Sequence, residues 1–293
     1  MTRAVSMQDL PKAGRWSIYI ALAVVFAVAC ALLSNWQFSR NQERSAQLSL
    51  VEANYDAAPA ALDALIPEGG GLDPGDEWRQ VRLVGRYLDE DQLLVRNRPH
   101  GGTAAFEVVV PFRSEDGRVV LIDRGWVPPG DDGPVPDVVP SPPDGLTTVI
   151  ARLRPGEPMP ASGRSAPEGQ VPTINLRLVA DAVSPTAADA LETSAYGILV
   201  SEDPAPATAP NPLEAPSEDP GPHLSYAIQW ILFAIMGFVF IGYVIRTERR
   251  HRGEDAEEGT DASVPPTAAA NPPRRRRDRD AEDEDALIDA AHG

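Results

Sequence analysis

The chain has 293 residues, 26 of them basic and 43 acidic, giving a formal net charge of −17 and a pI near 4.6. That acidic surplus excludes nucleic-acid binding as the main function, because a phosphate-binding surface needs a basic patch. The single cysteine, Cys30, excludes an intramolecular disulfide, a CxxC redox pair, a CxxCH haem attachment and a thiolate metal cluster within one chain, and four histidines leave little for a histidine metal site.

Residues 1–15 carry Arg3, Lys12 and Arg15 and lead into Trp16 to Leu33, an eighteen-residue run without a charge. At about 1.5 Å rise per residue this run matches the hydrocarbon thickness of a bilayer. A second run of twenty-two residues, Leu224 to Ile245, is followed by Arg246, Arg249, Arg250 and Arg252. The expected organisation is two transmembrane helices, 16–33 and 224–245, with both termini cytoplasmic and residues 34–223 extracytoplasmic in a bacterial cell membrane, by the positive-inside rule. The outer segment holds 14 basic and 29 acidic residues, so nearly all the surplus charge lies there. Ala27-Val28-Ala29-Cys30 loosely imitates a lipidation box, but the apolar run continues past it, which favours an uncleaved anchor. Ala23, Ala27 and Ala31 on the first span, and Ala227, Ala234 and Gly237 on the second, form small-residue stripes that would let helices approach closely.

The first helix has no breaker before about Leu50, and residues 57–77 loosen into Pro, Gly and Asp. Alternating apolar residues predict strands at 78–87, 92–97, 104–111, 118–123, 146–154, 172–179 and 196–200, with a hairpin at Glu115-Asp116-Gly117. A short helix is expected at 185–192, with Ser184 as its cap and Pro185 in its first turn. The expected fold is therefore two transmembrane helices flanking a β-rich extracytoplasmic domain, an antiparallel barrel or sandwich. Ten prolines between Pro128 and Pro160, and seven between Pro204 and Pro222, read as extended tethers. Residues 246–293 mix acidic runs with Arg274 to Arg277 and read as a disordered tail.

Phosphate-cradling, zinc-protease and nucleophile-elbow motifs are all missing, so no enzyme is expected. Two constellations stand out. Asp123-Arg124-Gly125-Trp126-Val127-Pro128 ends a strand with a charge, a flexible residue and an indole, which would present Arg124 to a carboxylate or propionate, or pair it with Asp123 or another neighbour. His223, Tyr226 and Trp230 share one face at the start of the second span, where an imidazole beside an aromatic wall suits an axial ligand of haem iron, or a headgroup contact or helix cap. Gln229 is a polar group within the span that would seek a partner.

These pieces resemble the Surfeit locus protein 1 family over about residues 16–250. The resemblance rests on Trp36-Gln37 with Arg40, Val84-Gly85-Arg86-Tyr87, Leu94 to Arg98, Val109-Val110-Pro111, the Arg-Gly-Trp-Val-Pro core at 124–128 and His223-Leu-Ser-Tyr-Ala-Ile-Gln-Trp230, in that order. Ala105, Arg44 and Ala151 depart from the family pattern. The resemblance implies an assembly factor for haem-copper cytochrome c oxidase, assisting delivery or stabilisation of haem a in the catalytic subunit, with haem a synthase and membrane lipid as further partners. It assigns His223 to haem iron, with Tyr226 and Trp230 beside it, and gives Arg124, Trp126, Trp36, Gln37, Arg40 and Gln229 to partner contacts. The alternative is a permanent accessory subunit of the oxidase or of a larger respiratory complex, without a bound cofactor.

Overall fold

The computed structural model describes residues 12–261 except 101, 132, 134 and 161–165. Among the described residues two compact units emerge, one formed by residues 12–28 and 233–261, the other by Ala29–Leu232. Helix α1, Lys12–Asn54, and helix α5, His223–Asp261, run through both. By length and composition these are two helices able to cross a membrane.

Within the first unit most large apolar side chains, such as Leu22, Val25, Phe238 and Val239, face outward. Gly237 lies against Phe26, where an added Cβ would stand 3.1 Å from the ring. The helix does not stop at residue 245 as expected of a disordered tail: residues 246–261 continue α5, while 262–293 lie outside the described residues.

The larger unit joins the helix ends to a β domain. Along α1, Cys30, Ser34, Gln37, Asn41, Arg44 and Leu48 are the covered positions, alternating steps of four and three. That spacing keeps one seam facing a partner helix. It also replaces the expected Ala31 with Cys30 on the seam, because a strict step of four drifts around the helix. On α5 the matching positions are His223, Ala227 and Trp230. Ser34 donates to the Ala227 carbonyl at 3.0 Å, an approach that a small residue at 227 permits.

Beyond α1 come β1 (Ala60–Ala61) and α2 (Leu62–Leu65), whose Leu62 and Leu65, with Ile66, enter the core. Residues 57–77 are thus less loose than their composition suggests. The domain continues with β2 (Gln80–Tyr87), β3 (Leu93–His100), β4 (Thr103–Ser114), β5 (Val119–Val127), β6 (Thr147–Pro155), β7 (Gln170–Val171), α3 (Leu176–Ala182), α4 (Pro185–Ala188) and β8 (Ala195–Asp203). The strand order is β1-β2-β6-β8-β5-β4-β3-β7, and β2 also pairs with β4, so five ladders run from β2 back to β2.

The sheet is mixed rather than antiparallel. β5 and β8 are parallel because everything from β6 to α4 lies between them in the chain, and β1 and β7 also add in parallel. The expected β4–β5 hairpin forms, with Gly117 at φ +90° in its turn. At 172–179 a helix forms where alternation predicts a strand: Asn175 caps it by accepting from the Leu178 amide, and Leu176 and Val179 bury the same face. Ser184 precedes α4, but its hydroxyl donates to Asp91 instead of capping.

Alternation along the strands puts two apolar clusters on opposite faces. One includes Val108, Val110, Phe112, Val120 and Ile122; the other includes Val109, Val119 and Leu121 under α3 and Leu191. The β2–β4 closure demands glycine at position 85, where an added Cβ would stand 2.0 Å from the Arg113 carbonyl oxygen. Gly85→Ala is expected to lower stability by about 1–3 kcal/mol through overpacking, read as a drop in Tm of the detergent-solubilised protein; an unchanged Tm would show that β2 and β4 do not approach this closely.

Candidate functional site

Two polar arrangements are built on this scaffold, one where α5 begins and one on the sheet. At the start of α5, His223 Nδ1 lies 3.1 Å from Gln37 Oε1. An amide oxygen only accepts, so this contact places the proton on Nδ1 and leaves the Nε2 lone pair free. Gly221, at φ +72°, lies against the Cδ2–Nε2 edge of the ring, where an added Cβ would stand 3.5 and 3.6 Å from those atoms. One turn into α5, Ala227 is buried against Ser34, which fixes the spacing that lets Gln37 reach the imidazole.

The remaining helix residues singled out by sequence separate around this pair. Trp230 is half-buried on the seam with His223, whereas Tyr226 and Gln229 are exposed on α5. Gln229 makes no hydrogen bond among the described residues. Trp36 and Arg40 also face outward, the guanidinium 5.9 Å from the indole centroid and 3.1 Å from Glu43.

The chain reaches α5 through residues 204–222, which are docked rather than a free tether. Asn211 exchanges both backbone hydrogen bonds with Trp126, at 2.8 and 2.9 Å. Further on, Arg44 of α1 donates to the Ser217 and Asp219 carbonyls. The prolines supply no amide donors, so the segment is held by the few amides and carbonyls that remain. The first proline-rich stretch also folds back, with Gly130 donating to the Val135 carbonyl and Asp131 to Asp137.

The Asp123-Arg124-Gly125-Trp126 turn organises the sheet site. Between Asp123 and Trp126, β5 carries one more residue than β4 between Val109 and Glu107, so a bulge re-aims successive side chains. Arg124 points into the core, donating to Glu202 at 2.8 Å and to the Pro140 carbonyl at 2.9 Å, while its Nε is left without a partner. Tyr87 donates to the other Glu202 oxygen. Of the two expectations for Arg124, pairing within the chain is the one observed: its carboxylate, Glu202, belongs to β8, and the fully buried guanidinium is not presented to an outside carboxylate. Trp126 stacks on His100 at 5.2 Å, nearly parallel.

Asp123 points to the opposite face, into a cavity of about 390 Å3. Glu107 stands beside it and bridges Arg98 and His100, while Glu157 receives Arg98, Thr173 and the Ile174 amide. Burial, and then the neighbouring Glu107 charge, push the Asp123 carboxyl well above the usual carboxylate range. Burial works the same way on Glu157, but the Arg98 and Thr173 hydrogen bonds outweigh it and hold that carboxyl low. Tyr196 on β8 is 5% exposed, and burial raises its phenol. The sequence reading passed over Glu107, Glu157, Tyr196 and His100, and treated Asp123 only as a neighbour for Arg124. The signal for Glu107 was a charge at a strand position flanked by Phe106 and Val108, and for Asp123 a charge directly after the apolar run Val119 to Ile122. No group of three or more His, Cys, Asp or Glu side chains able to hold a metal ion occurs among the described residues.

Residues 24–235 match the family model described as the SURF1 family. The chain belongs to that family. A SURF1-like protein of Mycobacterium tuberculosis is 34% identical over 241 residues, covering 81% of this chain and 86% of the relative. The cytochrome oxidase assembly protein SHY1 of Saccharomyces cerevisiae is 28% identical over 113 residues, covering 37% of this chain and 28% of the yeast protein. A SURF1-like protein of Dictyostelium discoideum is 28% identical over 110 residues, covering 36% and 41%. In this SURF1 family member both the Arg-Gly-Trp turn and the His223 helix start lie within the matched span.

The Asp123 environment sets a pH signature. A carboxyl whose folded pKa is raised contributes stability that is fully present below its unfolded value, near 3.9, and lost as pH rises through the folded value. Asp123→Asn mimics the protonated form and removes this dependence. The difference in Tm, variant minus wild type, is expected to grow from pH 4 to pH 8; a flat difference would show that Asp123 titrates as an ordinary carboxylate.

Proposed function

We propose that this SURF1 family protein assists assembly of a bacterial cytochrome c oxidase, and that the start of α5 receives haem a on its way to the catalytic subunit. In this reading α1 and α5 hold the protein in the cell membrane with both termini cytoplasmic and the β domain outside. The similarity to SHY1, a cytochrome oxidase assembly protein, supports the process. The observation that carries the haem assignment is the His223–Gln37 contact.

The residues present fit the group. His223 is the helix-start side chain with a nitrogen lone pair directed away from its hydrogen-bond partner, and Gln37 sets both tautomer and ring orientation, as outer groups do for metal-bound imidazoles. His223 would hold haem a through that nitrogen, and the group would supply an iron for it to ligate. Trp230 lies half-buried on the same seam two turns along α5, and Tyr226 lies exposed on the same helix end. Outward-facing Trp36, Arg40 and Gln229 are available to the oxidase, to haem a synthase or to lipid, since no other described segment covers them. The function is one of holding and handing on, with no bond made or broken in a substrate.

His223→Ala is expected to abolish haem a in protein purified from cells making haem a, with membrane yield and Tm unchanged, while Gln37→Leu lowers occupancy without abolishing it. Extraction and visible spectra measure both. Haem a retained at the wild-type level in His223→Ala would overturn the assignment, and a colourless wild-type protein that co-purifies stoichiometrically with mature oxidase would favour the accessory-subunit reading.

A further inference from the structure

The cavity over the sheet is separate from the helix-start site and is not used by the haem reading. Its floor crosses five adjacent strands: Arg98 on β3, Glu107 on β4, Asp123 on β5, Tyr196 on β8 and Arg154 on β6. The ladder sets Asp123 opposite Ile198 and Tyr196 opposite Arg154, so Asp123 and Tyr196 are diagonal neighbours on one face. Trp78, Leu213 and Pro216 supply apolar wall, the last two from the docked 204–222 segment. That roof is fixed by the Asn211–Trp126 pairing before the cavity and by Arg44 after it.

The hydrogen-bonding capacity left over in the cavity is specific. Both Glu107 oxygens are engaged by Arg98 and His100, and both Glu157 oxygens by Arg98, Thr173 and the Ile174 amide. The carboxylates of the floor are therefore satisfied within the protein. By contrast, the Tyr196 hydroxyl makes no hydrogen bond among the described residues, although the residue is 5% exposed. Asp123, 1% exposed, accepts only from the Gly125 amide through Oδ1, so its second oxygen is unused among them. The Tyr196 hydroxyl and the second Asp123 oxygen, side by side on the cavity floor, thus leave hydrogen-bonding capacity for a ligand.

We propose that this cavity binds a neutral carbonyl group, its oxygen received between Asp123 and Tyr196 and its apolar flanks packed on Trp78, Leu213 and Pro216. The upward pull of burial on both acids keeps their protons in place for donation, as in sites where a buried carboxyl and a tyrosine together face a carbonyl oxygen. The charge balance selects against the alternatives. An anion meets Glu107, Glu157 and Glu214, which outnumber Arg98, while Arg154 is held by Glu77. A neutral carbonyl avoids that repulsion. Such a group occurs in small aryl amides and ketones and in the backbone of a partner polypeptide.

The test titrates the full-length protein in detergent micelles with two carbonyl-labelled probes, acetanilide and N-acetyl-leucine methylamide, beside benzoate and anilinium, reading saturable binding by NMR. One neutral probe is expected to saturate at one per chain, with benzoate and anilinium at least about tenfold weaker, the value of one hydrogen bond of about 1.4 kcal/mol. Preference for acetanilide identifies a small carbonyl compound, and preference for the leucine amide identifies a peptide carbonyl. Tyr196→Phe removes only a hydroxyl without an internal partner, so it is expected to keep the wild-type Tm while weakening the neutral probe about tenfold; Asp123→Asn, which retains a donor, keeps binding. No saturable binding of either neutral probe, benzoate bound as tightly, or unchanged affinity in Tyr196→Phe would each overturn the proposal.

Discussion

The close approach of Gly125 to the Asn211 carbonyl is the constraint on which the larger unit depends. Gly125 sits at φ +122°, and a Cβ there would stand 2.2 Å from that oxygen, so only glycine lets the segment 204–222 lie against the end of β5. The same bulge that brings Gly125 to this point sends Asp123 to one face of the sheet and Arg124 to the other. Arg124 then closes a buried pair with Glu202 under Tyr87, Asp123 enters the polar cavity, and Trp126 both stacks on His100 and pairs with Asn211. One turn of four residues thus ties core, cavity and connecting segment together.

From Asn211 the chain leads directly to the start of α5. Arg44 grips the carbonyls of Ser217 and Asp219, Gly221 makes the final turn, and His223 opens the helix opposite Gln37. The Ser34 to Ala227 hydrogen bond sets how closely the helices approach at this level. Breaking a buried pair such as Arg124–Glu202 leaves an uncompensated charge, which costs far more than an intact pair contributes. Arg124 therefore belongs to the fold, holding β5 to β8 in the sheet that anchors the connecting segment.

Much of this was legible in the sequence because the signals are local. Charge-free runs marked both long helices, and alternation located six of the strands and the Gly117 hairpin. The seam contact between Gln37 and His223 joins two residues that were each singled out, although only the structure shows them bonded. What was not legible depends on distant partners. Arg124 and Glu202 are 78 residues apart, and nothing local says which carboxylate a buried arginine will take. The parallel pairing of β5 with β8 is likewise a property of the crossover between them. Proline density suggested tethers because it reports missing amide donors, but the remaining amides and carbonyls suffice to dock the chain. Residues 172–179 misled because Asn175 offers a cap that a short alternating pattern conceals.

Gln37 accepts from Nδ1–H of the His223 imidazole and leaves Nε2 without a hydrogen-bond partner among the described residues. Nitrogen NMR of histidine-labelled protein in micelles tests this directly, with the His223 signals assigned by their loss in His223→Ala. Wild-type His223 is expected in the Nδ1–H tautomer, with loss of that preference in Gln37→Leu. A wild-type ring protonated on Nε2, or one indifferent to the Gln37 replacement, would contradict this.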